Sequence, residues 1–224
     1  MPIHSKNGRN CGDLASNFRI GHVEAMQLCT VTSDVPIDDR TIEACQRGDS
    51  EGFRLLFEVY KDRVYSIALY YFNGDEASAH DITQQIFLKL LTHISQFESR
   101  SEFSTWLYRM VANACLDRKR ALRRFLSFDA RVDEIPETRR SIEDKVIQRE
   151  REASIRSAIS GLRPKLRMAI LLKHFEELSY DEIAVVLGCS KGTVASRLNR
   201  GHQILARKLA HFRSGGSGEG TLEE

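Results

Sequence analysis

Phe53, Leu56, Phe57, Tyr60, Val64, Ile67, Ala68 and Tyr71 recur at three- and four-residue intervals. That period lays them along one side of an α-helix, and it predicts a long core-building helix ending near Asn73-Gly74. No alternating β-branched run competes with it elsewhere, and only four prolines occur in 224 residues, so the fold class is predicted to be all-α. Upstream, Asp38 and Asp39 are suited to cap a short helix through Arg47, which Gly48-Asp49-Ser50 then interrupts. Downstream, a helix is predicted from Asp75 to Phe97 with Ile82, Ile86, Phe87, Leu90, Leu91 and Ile94 facing inward. Its opposite side carries Asp81, Gln84, Gln85, Leu88, Lys89 and Thr92. Leu88 among polar residues suits a partner contact, although scattered surface leucines are common.

The next helix carries chemistry. At about 100° per residue, Trp106, Arg109, Asn113, Asp117, Arg120 and Arg124 fall within an arc of roughly 80°. Leu107, Met110, Val111, Ala114, Cys115 and Leu122 cover the other side. Arg109, Arg118, Lys119, Arg120, Arg123 and Arg124 stand against a single carboxylate, Asp117, for a local charge of +5. A flat aromatic, an amide and a row of cations are the groups that stack on bases, read base edges and hold phosphates. A solvated surface helix with a half-buried Trp reads the same, so this segment alone leaves both possibilities open.

A second module follows. Helices are predicted from Val146 to Ser160 and over LRMAILLKHFEEL, with Pro164 in the first turn of the latter. Ser179-Tyr-Asp-Glu182 is a capping-box pattern that starts a short helix through Leu187. Gly188-Cys189 turns the chain, and Ser190 caps a helix over KGTVASRLNRGHQILARKL. A helix, a short glycine-bearing turn and a second helix form a helix-turn-helix, whose second helix enters the major groove. Lys191, Arg197, Arg200, Arg207 and Lys208 give that helix +5 with no acidic residue, while Val194, Leu198, Ile204 and Leu205 supply its buried side. The same geometry also serves as plain scaffolding; capping, turn glycine and one-sided charge together favour DNA binding.

The stretch between the modules is charged, contains Pro136 and lacks a core pattern. Fully extended, it reaches on the order of 60 Å at about 3.3 Å per residue, more than one turn of B-DNA. The predicted organisation is therefore an extension over 1–36, a first domain over 37–128, a linker over 129–145, a second domain over 146–212 and a tail over 213–224. The extension and the Gly/Ser-rich tail are expected to be disordered, and Met26 is an alternative start.

A net charge of +2 excludes a uniformly basic coat for nucleic acid, so local clustering has to carry that reading. No apolar run is long enough to cross a bilayer and MPIHSKNGRNCG lacks the apolar core of a signal peptide, so a cytoplasmic location is expected. Cys11, Cys29, Cys45, Cys115 and Cys189 are odd in number and without a CxxC, which fits reduced thiols. His4, Cys11, His22 and Cys29 match no compact zinc spacing, and neither a metal nor a cofactor is predicted. Paired carboxylates, Cys/His pairs and phosphate loops with catalytic spacing are absent from the sequence, so no enzymatic activity is expected.

AHDITQQIFLKLL and FESRSEFSTWLYRMVANACLDRKRALRR in the first domain, with LRPKLRMAILLKHFEELSYDEIAVVLGCSKGTVASRLNRGHQIL in the second, resemble the extracytoplasmic-function (ECF) sigma factors of the bacterial sigma-70 family over residues 37–212. The resemblance implies that the first domain binds the β′ clamp helices of RNA polymerase core and the promoter −10 element. It implies that the second binds the −35 element and the β flap. Asp81, Gln84, Gln85 and Leu88 then fall in the polymerase-binding helix. Phe97, Glu98, Ser99, Arg100 and Ser101 fall where a flipped −10 base is captured, with Asn113 facing it and Trp106 supporting the surface by packing or, as the alternative, stacking on the base directly. Flipping costs a few kcal/mol, which an aromatic, an amide and cations are suited to offset. Ser190, Lys191, Gly192, Thr193, Ser196, Arg197 and Arg200 match DNA-facing positions of the recognition helix. Gly192 lets that helix start lie close to a phosphate.

Ala195 and Asn199 depart from residues frequent in the family, so the −35 sequence cannot be copied from a relative. An anti-sigma factor covering both domains is a further implied partner. The competing readings are a helix-turn-helix regulator that works without polymerase, and a module whose basic helices bind an acidic protein.

Overall fold

The computed structural model describes residues 37–126 and 143–210. All of their regular structure is helical, with no strand among them. The helices are α1 (Asp39–Gln46), α2 (Ser50–Tyr71), α3 (Glu76–His93), α4 (Phe103–Leu126), α5 (Glu143–Ser160), α6 (Pro164–His174), α7 (Tyr180–Leu187) and α8 (Lys191–Lys208), with a 3-10 turn at Ile94–Gln96. Each start has a chemical reason. The Asp38, Asp49 and Asp75 carboxylates accept from the amides of Thr41, Glu51 and Ser78 at 2.9, 3.2 and 3.1 Å. Ser179 and Glu182 form the predicted capping box, at 3.2 and 2.7 Å. The Glu182 carboxyl is held below its usual range first by the Ser179 side chain.

In the first module α3 and α4 pack against α2 and enclose Leu56, Val64, Ile67, Ile82, Ile86, Leu107 and Val111. In the second, α6, α7 and α8 enclose Met168, Ile170, Leu171, Ile183, Val194, Leu198 and Leu205. On α2 and α3, two residues predicted to face inward do not. Phe57 is 41% exposed and Leu91 51% exposed. The apolar stripes of α2 and α3 are wider than their mutual interface, and Phe57 meets Phe87 edge-on at its margin, with centroids 4.8 Å apart. The helix predicted to run to Phe97 stops at His93, and α5 begins at Glu143, three residues before Val146.

The two modules are not apart: α2 and α4 of the first pack against α6 and α7 of the second. Most of the predicted linker, the N-terminal extension and the tail lie outside the described residues. Cys45, Cys115 and Cys189 are free thiols; burial pushes the Cys115 thiol up to about 12. Among the described residues no group of three His, Cys, Asp or Glu side chains gathers to hold a metal, and no helix is long and apolar enough to cross a membrane. His4, Cys11, His22 and Cys29 lie outside those residues.

Candidate nucleic-acid interface

Helix α4 buries Leu107, Val111, Ala114 and Cys115 and leaves Arg109, Asn113, Asp117, Arg120 and Arg124 exposed, as its periodicity predicts, whereas Leu122, predicted on the apolar side, is exposed near the end of the helix. The Arg120 guanidinium donates to Asp117 at 2.8 Å, so part of the cationic row is already offset by a carboxylate one turn away. Glu98, Ser99, Arg100 and Ser101 form an exposed loop ahead of the helix. Ser99 takes a left-handed φ of 52°, and Arg100 pairs with Glu98 at 2.6 Å.

Phe97 is only 6% exposed, a placement that differs from an open stacking surface. Its ring lies 5.4 Å from Phe103 and 5.4 Å from Trp106, themselves 5.9 Å apart. This aromatic cluster forms the floor under the loop, and Trp106 is half-buried in it. Gln46 of α1 donates from Nε2 to the carbonyls of Ile94 and Phe97 at 3.2 and 2.8 Å, tying the loop's entry to the first helix. Neither Gln46 nor Phe103 stood out in the sequence, because a lone glutamine and one more helix-facing aromatic carry no pattern.

Asp81, Gln84, Gln85, Leu88, Lys89 and Thr92 of α3 come together with Arg118 of α4 around one open groove. Leu88 is 64% exposed on its rim. Arg118, counted in the sequence only as charge, reaches Asp81 at 3.0 Å and so fixes α3 against α4.

The helix-turn-helix is formed by α7 and α8. Gly188 ends α7 at φ 56°, in the left-handed region that glycine enters without steric cost. The Ser190 hydroxyl accepts from the Thr193 amide at 3.2 Å and meets the Thr193 hydroxyl at 2.9 Å, so both candidate residues also build the helix start. Lys191 pairs with Asp181 of α7 at 2.7 Å, and Arg197 donates to the Cys189 Sγ at 3.3 Å. Ser196 and Arg200 are exposed. A Cβ on Gly192 would meet nothing within 4 Å, so that position faces open space.

Gly201 is different: a Cβ there would lie 2.8 Å from Ile170 Cγ1, which fixes how closely α8 approaches α6. One turn from that contact, His174 and His202 bring their Nε2 atoms to 2.8 Å. Burial, then His202, then Lys173 lower the His174 imidazole to about 4, and burial also lowers His202. The exposed sides of α4 and α8 converge on a cleft of about 740 Å³ whose lining includes Lys119, Arg120, Arg163, Lys165, Arg200 and Arg207 and no carboxylate.

Two family profiles match the chain: Sigma-70 region 2 over residues 56–125 and Sigma-70, region 4 over residues 152–205. The chain is 32% identical to the ECF RNA polymerase sigma factor SigW of Bacillus subtilis, over 76% of this chain and 95% of that protein. It is 32% identical to the RNA polymerase sigma-H factor of Pseudomonas aeruginosa, over 77% and 93% of the two. The ECF RNA polymerase sigma-E factor of Escherichia coli K12 is 30% identical over 77% and 94%. Among solved structures the fold is similar to CnrH in complex with the cytosolic domain of CnrY, with TM-score 0.61 and 22% identity over 79% of this chain and 99% of the other. It is also similar to the sigma factor RpoE of Bartonella quintana in complex with the anti-sigma factor NepR, with TM-score 0.57 and 21% identity over 71% and 98%.

Proposed function

The chain belongs to the ECF sigma factors, subunits that bind RNA polymerase core and direct it to promoters, and from that premise we propose how its residues divide the work. The α3 groove of Asp81, Gln84, Gln85 and Leu88 docks on the β′ clamp helices. The Glu98–Ser101 loop and Asn113 hold an unpaired −10 base over the Phe97, Phe103 and Trp106 floor. Arg109, Asp117, Arg120 and Arg124 line the adjoining backbone path. Ser190, Lys191, Gly192, Thr193, Ser196, Arg197 and Arg200 meet the −35 duplex, and the second module also touches the β flap.

The observation that carries this division is the one-sided exposure of α4. Its amide and cations face solvent beside an aromatic-floored loop, the chemistry that offsets the few kcal/mol of unstacking a base. Family membership favours this reading over a regulator that works without polymerase. The protein supplies binding energy and orientation while the polymerase supplies catalysis, and it acts in the cytoplasm. An anti-sigma factor holds it inactive; the fold it shares with sigma factors solved in such complexes supports that partner. In vitro transcription with core polymerase and a −10/−35 promoter tests the whole reading. Promoter-specific initiation is expected, and failure to bind core at micromolar concentration overturns it.

A further inference from the structure

The cleft between α4 and α8 holds a charge arrangement that the composition does not account for. The chain has 33 Lys and Arg against 31 Asp and Glu, so a stretch of surface taken at random carries both signs. This cleft is lined instead by Lys119, Arg120, Arg163, Lys165, Arg200 and Arg207, with no carboxylate among its described lining residues. The six come from three elements, the C-terminal part of α4, the start of α6 and the exposed side of α8, so the solvated face of one helix does not explain them. Arg120 is offset by Asp117 at 2.8 Å, a residue that does not line the cleft. Lys208 adds a cation at the margin, where its ammonium lies against Gly161.

Like charges gathered in a concave site repel one another, and the low-dielectric walls focus their field. An anion that carries several charges on one short chain offsets that repulsion better than separate monovalent ions do. Four of the six cations are arginines, whose forked donors match phosphate oxygens. Between the cations the wall is apolar: Leu116, Leu166 and Ile204, each half-buried, open onto the same cleft. An inorganic polyphosphate leaves that surface in water, whereas an apolar body attached to the phosphates covers it. Gln203 is the one uncharged hydrogen-bonding side chain of the described lining; its Nε2 makes a long 3.5 Å bond to Asn199, and an exposed amide of this kind pairs with the edge of adenine. At about 740 Å³ the cleft lies within the roughly 300–1,000 Å³ range of small-molecule sites. A B-form duplex, whose major groove alone is about 12 Å wide, is too broad for a space on the order of 10 Å across.

We propose that this cleft is a binding site for a nucleoside polyphosphate, its phosphates held by the cations, its base against Leu116, Leu166 and Ile204, and Gln203 at the base edge. A ligand there occupies Arg120 and Arg200, one from each proposed DNA-binding set, and so competes with promoter DNA. That competition rests on the DNA contacts proposed for α4 and α8; the site itself does not.

Isothermal titration of the full chain, without DNA or polymerase, tests the site at about 0.1 M salt, where attraction between exposed charges is screened beyond about 10 Å. The probes are adenosine triphosphate, tripolyphosphate and adenosine. Saturable one-to-one binding of adenosine triphosphate is expected at about 10–100 μM, with tripolyphosphate and adenosine each at least about tenfold weaker. Arg163→Glu and Lys165→Glu alter exposed residues outside the proposed DNA contacts, and each is expected to weaken nucleotide binding by about tenfold or more. Circular dichroism identifies folded variants, and Lys165→Gln remains informative if a charge reversal fails to fold. No saturation by about 1 mM, tripolyphosphate binding as tight as that of the nucleotide, or folded variants that bind like the wild type overturns the proposal. A single-stranded oligonucleotide that binds more tightly and displaces the nucleotide overturns it as well, because the cleft then belongs to nucleic acid. Fluorescence anisotropy of a labelled −35 duplex tests the competition: saturating adenosine triphosphate is expected to weaken duplex binding by the wild type and not by Lys165→Glu, and unchanged affinity in the wild type overturns it. Failure of the wild type to bind the duplex without nucleotide counts against the DNA contacts of α8 and leaves the titration result standing.

Discussion

The two helices proposed to face DNA reach similar charge by different construction. Helix α4 carries its candidate amide and cations along the middle of a long helix, pairs Arg120 with Asp117, and rests its N-terminal end on a three-ring aromatic cluster. Helix α8 gathers its candidates at the helix start, has no carboxylate of its own, and is fixed from behind by the Gly201–Ile170 contact and the His174–His202 pair. An aromatic floor with a compensated charge row suits holding one unpaired base, where geometry matters more than field. A cationic helix that carries no carboxylate of its own, with Lys191 paired to Asp181 of the preceding helix, suits a duplex, where phosphate contacts supply affinity and position. The difference teaches that net charge alone does not distinguish a melting surface from a duplex reader; the support behind each helix does.

The largest expected separation is by pH. His174 is held neutral in the fold at about 4 and would titrate near 6.5 once exposed, so its stabilisation is complete above about pH 6.5 and declines as pH falls towards 4. At low pH the loss for the second module amounts to about 3 kcal/mol, at 1.36 kcal/mol per unit of pKa. The described histidines of the first module, His80 and His93, are exposed. Thermal unfolding of the full chain at pH 7 and pH 4.5 is expected to show acid weakening that His202→Leu changes and His93→Gln does not. Equal sensitivity to both substitutions breaks the comparison.

Next in size, Gly201→Ala places a methyl against Ile170 and is expected to cost about 1–3 kcal/mol by overpacking, measured by urea unfolding. An alanine in this helix would otherwise be favourable by about 1 kcal/mol, so a stabilised variant would refute the close approach.

At the DNA itself the helices are expected to part company. Arg200→Ala is expected to weaken binding to a −35 duplex by about 1–3 kcal/mol if Arg200 reads a base, or to flatten the salt slope by roughly 1 if it holds only a phosphate. Asn113→Ala is expected to impair promoter melting while leaving duplex binding nearly intact. Equal loss of both in the Asn113 variant removes the distinction drawn between α4 and α8.

Much of this was legible in the sequence because it depends on period and capping. The α2 stripe, the capping box at Ser179, the turn at Gly188 and the exposed side of α4 are local patterns, and each formed where its residues predicted. Phe57 and Leu91 were misread because a stripe wider than the available partner looks the same in sequence as a fully covered one. The burial of Phe97 has no signal in the sequence, because its neighbours Phe103 and Trp106 close over it only in three dimensions. The contacts of Tyr108 with Glu176 and of Arg167 with Tyr71 join residues 68 and 96 positions apart, a range over which no periodicity speaks.

The smallest effect is expected at Gln46, which is not itself a candidate DNA-binding residue. Its amide donates to two carbonyls at the entry of the −10 loop, and Gln46→Ala removes both bonds. At about 0.5–1.5 kcal/mol per net hydrogen bond, with half-buried carbonyls able to turn to water, the cost to global stability is expected to be about 1 kcal/mol. Its consequence for melting is expected to be larger than that figure suggests. The Glu98–Ser101 loop has one end on α4 and the other on this tether, so releasing it lets the loop move over an intact aromatic floor. Permanganate reactivity of −10 thymines in a polymerase–promoter complex is the measurement, with −35 duplex binding as the control. Reduced reactivity with unchanged duplex binding would mean that the melting surface depends on geometry imposed from α1. Unchanged reactivity would mean that the loop is positioned by α4 and the aromatic floor alone, which would bring the two reading helices closer in design than their supports suggest.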